Sequence, residues 1–115
     1  MSILSVRAVL GTPGAVMQVQ HIRYFLALVE ELNFTRAAHR CGVSQPTLTG
    51  CIRRLEAQLG GPLFTRKPKV SVTPLGRVMA PYLGCIARDV DDALRAARLH
   101  NGYSRPETQR MRRAG

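Results

Sequence analysis

The side chains best placed to hydrogen-bond another molecule fall in one short stretch, GVSQPTLTGCIRRLE, at residues 42–56. Ser44 is a strong helix N-cap, and Pro46 is tolerated in the first turn, where its missing N–H costs little. On a helix beginning at about Gln45, Leu48, Ile52, Leu55 and Leu59 share a narrow arc. Gln45, Thr49 and Arg53 lie on its flank, and Pro46 and Gly50 continue that flank outward. One side packs and the other presents. A glutamine can pair in bidentate fashion with adenine, a threonine can meet a base edge or a thymine methyl, and the positive end of a helix at residues 45–47 suits a phosphate.

The elements that must hold this helix are legible on either side. From residue 18 to 32, Ile22, Phe25, Leu26, Val29 and Leu32 recur at helical spacing, leaving Arg23, Glu30 and Glu31 outside. Asn33 can cap a second, shorter helix in which Phe34, Ala37, Ala38 and Cys41 turn inward before Gly42 closes it. Two helices joined by so tight a turn make a helix-turn-helix: the first braces across phosphates and the second enters the major groove by its N-terminal end. Thr35 and Arg36, at the start of the bracing helix, therefore join the candidate DNA-binding set with Ser44, Thr47 and Gly50. After Gly60 and Gly61 end the third helix, residues 63–66 and 70–73 read as two short strands with KPK between them. This is a basic wing, on which Arg66, Lys67 and Lys69 are placed to hold the DNA backbone and reach the minor groove, with Arg53 also on the backbone.

Thr73 caps a fourth helix with Pro74 at its first position, running to about residue 98 and roughly 37 Å long at 1.5 Å per residue. Leu75, Met79, Tyr82, Ile86, Val90, Ala93 and Ala97 form a stripe with a period of about 3.7, that of a straight helix. So long a helix exceeds what a small core can cover, which predicts a partner helix from a second copy. The competing reading folds the stripe back onto its own domain. Pro81 predicts a bend. Residues 1–16 read as a flexible extension, 17–73 as the domain, 74–98 as the dimerisation helix and 99–115 as a disordered basic tail.

Charge and composition narrow the class. The chain of 115 residues has a net charge of +10. Residues 61–76 contain Arg66, Lys67 and Lys69 and no acid, a footprint suited to a polyanion. No stretch sets a basic face against Trp and Phe, which argues against a membrane surface. With aromatics at 5% and no Trp, a mainly α fold with an aliphatic core is expected. Cys41, Cys51 and Cys85 show no metal or disulfide spacing, which points to a reducing cytoplasm. Asp89, Asp91 and Asp92 read as a solvated helix face, and His21, His39 and His100 have no triad or ligand spacing, so neither catalysis nor a metal or other cofactor is expected. Tyr24, Phe25 and Phe34 read as core rather than as stacking platforms for RNA.

The stretch HIRYFLALVEELNFTRAAHRCGVSQPTLTGCIRRLEAQLGGPLFTRKPKVSVTPLGR resembles the winged helix-turn-helix domain of LysR-type transcriptional regulators. RYFLALVEELNFTRAA, VSQPTLT, IRRLEAQLGGPLFTR and VTPLGR carry the resemblance, which covers about residues 17–98. It implies a three-helix core with a β-hairpin wing, a dimer formed through the long fourth helix, and DNA reading by Ser44, Gln45 and Pro46 with Thr47, Thr49 and Arg66. Two departures stand out. Family members commonly carry arginine where this chain has Gly50. They also continue into an α/β effector-binding domain, whereas no small-molecule effector site is expected in this chain. Two readings follow: a sequence-specific DNA-binding regulator reduced to its reading and dimerising parts, or an interaction module that heterodimerises or competes with full-length relatives while binding DNA weakly itself.

Overall fold

The computed structural model describes residues 17–102; the expectations for residues 1–16 and 103–115 lie outside the described residues. Among the described residues four helices and one hairpin follow in order: α1 (Val19–Glu31), α2 (Phe34–Cys41), α3 (Gln45–Leu59), β1 (Phe64–Thr65), β2 (Ser71–Val72) and α4 (Pro74–Gly102). No helix among the described residues is long and apolar enough to cross a membrane.

Caps and left-handed residues set the boundaries. Asn33 Oδ1 accepts the Arg36 N–H at 2.8 Å, and Ser44 Oγ accepts the Thr47 N–H at 3.2 Å, each satisfying one of the orphan donors of a helix start. Gly42 (φ 71°) and Gly60 (φ 85°) end α2 and α3 in the left-handed region, where a Cβ would be strained. Leu32 ends α1 in the same region at φ 49° and is 44% exposed. The expected inward place for Leu32 is thus corrected: the chain reverses before its side chain reaches the core.

The core is built from Ile22, Phe25 and Leu28 of α1, Ala37 and Ala38 of α2, and Leu48, Ile52 and Leu55 of α3, closed by Leu63 and Phe64 at the base of the wing. Ala37 and Ala38 are small, so α2 approaches its neighbours closely. The Phe64 ring lies tilted against Phe25 at 5.6 Å and edge-on to Phe34 at 6.5 Å, spacings at which aromatic pairs attract. These contacts carry the wing, because two strands of two residues cannot stand alone. They pair antiparallel, Phe64 with Val72 and Thr65 with Ser71, and are shorter than the strands expected from sequence.

Thr73 joins the wing to α4. Its hydroxyl donates to the Pro62 carbonyl at 2.7 Å and accepts the Gly76 N–H at 3.0 Å, so one buried side chain caps α4 and pins it to the wing base. Gly76 permits the approach: a Cβ there would collide with the Leu63 carbonyl and with Val72 Cγ1.

One expectation for α4 changes. The helix extends through Leu99 to Gly102, so the first residues of the expected tail are helical; propagating an existing helix fixes one residue per hydrogen bond and costs far less than starting one. Pro81 sits inside it on the exposed side, and the helix is continuous through it.

Candidate nucleic-acid interface

Around α3 the buried arc of Leu48, Ile52 and Leu55 forces Gln45, Pro46, Thr47, Gly50, Arg53 and Arg54 outward, with Thr49 half-buried at the margin. Gln45, Pro46, Thr49, Gly50 and Arg53 line a shallow concavity of about 430 Å³. Thr35 Oγ1 donates to Gln45 Oε1 at 3.2 Å, so the bracing helix orients the amide expected to read a base. With its oxygen engaged, Gln45 keeps its NH₂ donors for a ligand.

The start of α3 offers less to a phosphate than its sequence promises. Pro46 has no N–H, the Thr47 N–H is taken by Ser44 Oγ, and the Ser44 hydroxyl donates to Thr47 Oγ1 at 2.9 Å. Ser44 therefore acts first as a cap. Open positive charge lies instead in side chains: no ion pair engages Arg53, Arg54, Lys67 or Lys69 among the described residues, and all four are exposed. Arg54 was absent from the residues singled out by sequence; the Arg53–Arg54 doublet on the wheel was the available signal.

Two other arginines are occupied. Arg66, expected as a DNA contact on the wing, is half-buried. Its guanidinium lies 5.1 Å from the centre of the Phe34 ring and Nη2 stands 3.8 Å from Glu56 Oε1. A flat, weakly hydrated guanidinium suits an aromatic face. Glu56 also accepts the Leu63 N–H at 2.8 Å, so this one carboxylate fastens α3 to the wing. Arg40 is held by Glu30 at 2.5 Å and Glu31 at 3.2 Å, and those hydrogen bonds raise its pKa still further. Arg36 stays open to solvent, with only a 3.6 Å approach to Glu31.

On α4 the expected stripe divides between two faces. Leu75 and Met79 pack against the domain's own core. Leu83 (1% exposed) and Ala87, which sequence reasoning missed, seat the helix there, and Arg23 of α1 pairs with Asp91 at 2.9 Å. That pairing holds the Asp91 carboxyl below its usual range, its hydrogen bond to Arg23 being the main cause. Val90 is half-buried, while Tyr82 (65% exposed), Ile86, Ala93 and Ala97 face away, joined by Val78.

Among the described residues no group of three or more His, Cys, Asp or Glu is placed to hold a metal ion, and Cys41, Cys51 and Cys85 are free thiols. Burial pushes the Cys41 thiol up, away from reactivity.

A capped reading helix set behind a bracing helix, with a short antiparallel hairpin at its far end, is a winged helix-turn-helix. Residues 19–77 match the family of bacterial regulatory helix-turn-helix proteins of the lysR type, and the chain belongs to it. It is 43% identical over 88 residues to the uncharacterized HTH-type transcriptional regulator YnfL of Escherichia coli, covering 75% of this chain and 30% of that protein. It is 46% identical over 68 residues to the HTH-type transcriptional regulator IlvR of Caulobacter vibrioides, covering 58% of this chain and 23% of the relative. The chain thus spans less than a third of these relatives' length. Its fold superposes on the BenM DNA-binding domain in complex with catB site 1 DNA with a TM-score of 0.69 at 36% identity, covering 76% of this chain and 96% of that one.

Proposed function

We propose that the chain is a sequence-specific DNA reader, acting in the cytoplasm as a dimer on double-stranded DNA and regulating transcription. The observation that carries this reading is the pairing of an exposed, Thr35-braced Gln45 with the free cations Arg53, Arg54, Lys67 and Lys69. The cations give affinity for any duplex and the polar face of α3 gives choice among sequences. The similarity to a DNA-binding domain crystallised in complex with DNA supports double-stranded DNA as the partner.

The exposed face of α4 supports the second part of the reading. Tyr82, Ile86, Ala93 and Ala97 with Val78 leave an apolar surface that a second copy of α4 would cover, placing two α3 helices about a dyad. The same face favours the alternative role, heterodimerisation with longer relatives, because it asks only for a matching helix.

Selection of fragments from sheared genomic DNA on the purified chain at near-physiological salt, followed by sequencing, tests the proposal. Enrichment of a dyad-symmetric motif is expected. Uniform recovery that vanishes with added salt would leave only the charge as the binding agent and favour the heterodimer role.

A further inference from the structure

The crown of α3 is small where a reading helix would be expected to carry long side chains. Opposite the buried Leu48, Ile52 and Leu55, the outermost line of the helix passes through Pro46, Gly50 and Ala57, all exposed. Nothing internal requires glycine at position 50. Its φ is not in the left-handed region, and an added Cβ would meet no atom within 4 Å. A glycine inside a helix costs about 1 kcal/mol relative to alanine, so its presence is unfavourable for the fold alone.

What glycine leaves is room. The concavity above it is walled by Pro46 and Thr49 and rimmed by the Gln45 amide and the Arg53 guanidinium. Its floor is helical backbone whose N–H and C=O groups are committed to the helix, so a polar atom lowered onto it would lose water and gain no partner. The complementary group is therefore apolar and small. In the major groove one such group projects from a base-pair edge, the methyl at C5 of a pyrimidine.

We propose that the Gly50 notch receives a pyrimidine 5-methyl group, of thymine or of 5-methylcytosine, and that Gly50 is a specificity-determining residue. This rests on the DNA-reading proposal above. Gln45 and Arg53 at the rim supply donors to the polar edge and the backbone beside the methyl, while the missing side chain lets α3 approach closely enough to touch it.

The test uses the full chain and duplexes carrying the motif recovered by selection, remade one position at a time with uracil for thymine or 5-methylcytosine for cytosine. At one position in each half-site, gain or loss of the methyl is expected to change affinity about fourfold, the worth of one buried methyl. The thymine and cytosine arms tell which base carries it. Gly50→Leu fills open space with a good helix former, so its melting temperature should not fall, and the methyl effect should vanish. Equal affinity with and without the methyl at every position overturns the inference while leaving the DNA reading intact, as does an undiminished methyl effect in G50L. Absence of any preferred duplex overturns both.

Discussion

The outer faces of α3 and α4 are both left bare by the core, yet they differ in chemistry. On α3 the exposed groups are polar or small, and no ion pair engages Arg53 or Arg54 among the described residues. On α4 the exposed groups include Val78, Tyr82, Ile86, Leu94 and Leu99; Arg95 pairs with Asp92 at 2.8 Å and Asp91 with Arg23, while Arg77, Arg88 and Arg98 join no ion pair among the described residues. Unpaired cations favour a polyanion, because releasing its counterions requires charge that is not already neutralised. A face that exposes large apolar side chains favours another protein. Unpaired arginines occur on both helices and do not distinguish the two; the exposed apolar side chains of α4 do.

The largest expected effect breaks the α4 side. Tyr82→Asp with Ile86→Asp should weaken dimerisation on the order of 100-fold, as read by sedimentation, by setting charges where two apolar side chains would be buried. At concentrations low enough for the unsubstituted chain to be monomeric, the melting temperature should barely move, since both positions are exposed in the single chain; a large drop there would mean this face is structural. Next, Glu56→Ala strips the acceptor from the Leu63 N–H and the counterion from Arg66. A destabilisation of about 1–3 kcal/mol in denaturant unfolding is expected, with Glu56→Gln milder because it keeps an acceptor. Removing free cations should act on α3 and the wing alone. Arg53→Ala should lower the slope of log K against log salt by about one, and Lys67→Ala with Lys69→Ala by about two if each meets a phosphate. Unchanged slopes would mean those side chains stay in solvent.

The smallest effect concerns His21, buried in α1, whose pKa is lowered first by burial and then by the Arg54 charge. The folded state thus prefers the neutral ring, and protons bind the unfolded chain more readily. Stability is expected to be full above the ordinary histidine value of 6.5 and to decline as pH falls below it toward the lowered folded value. His21→Leu should flatten that decline in melts recorded from pH 7.5 to 5; an unchanged slope would assign it to other groups.

Much of this arrangement was readable from residues alone because it is local. Asn33, Ser44 and Thr73 are capping types followed by helical spacing, Gly42 and Gly60 stand where left-handed closure was needed, and the α3 wheel separates cleanly into core and crown. The features that were not readable depend on contacts across the fold. On α4 apolar residues cover more than half the wheel, so period alone cannot decide whether Leu83 and Ala87 or Tyr82 and Ile86 turn inward. Arg66 is separated in sequence from Phe34 by most of the domain, and nothing in LFTRKPK tells that its arginine is half-buried while its lysines are exposed. The length of α4 beyond residue 98 was obscured by the Asn101-Gly102 pair, which reads as a turn but is part of the helix.

The double use of the Thr73 hydroxyl bears on how spacing along DNA is set. One group binds the wing base and the first turn of α4, with Gly76 leaving no slack between them, so the reading head and the 29-residue helix share a single orientation. In the proposed dimer, the separation and twist between two half-sites are then encoded in α4 itself. A single residue inserted in α4 between the joint and the paired face would advance that face by 1.5 Å and rotate it by about 100°. The two reading heads would fall out of phase with the groove although every base-contacting side chain was untouched.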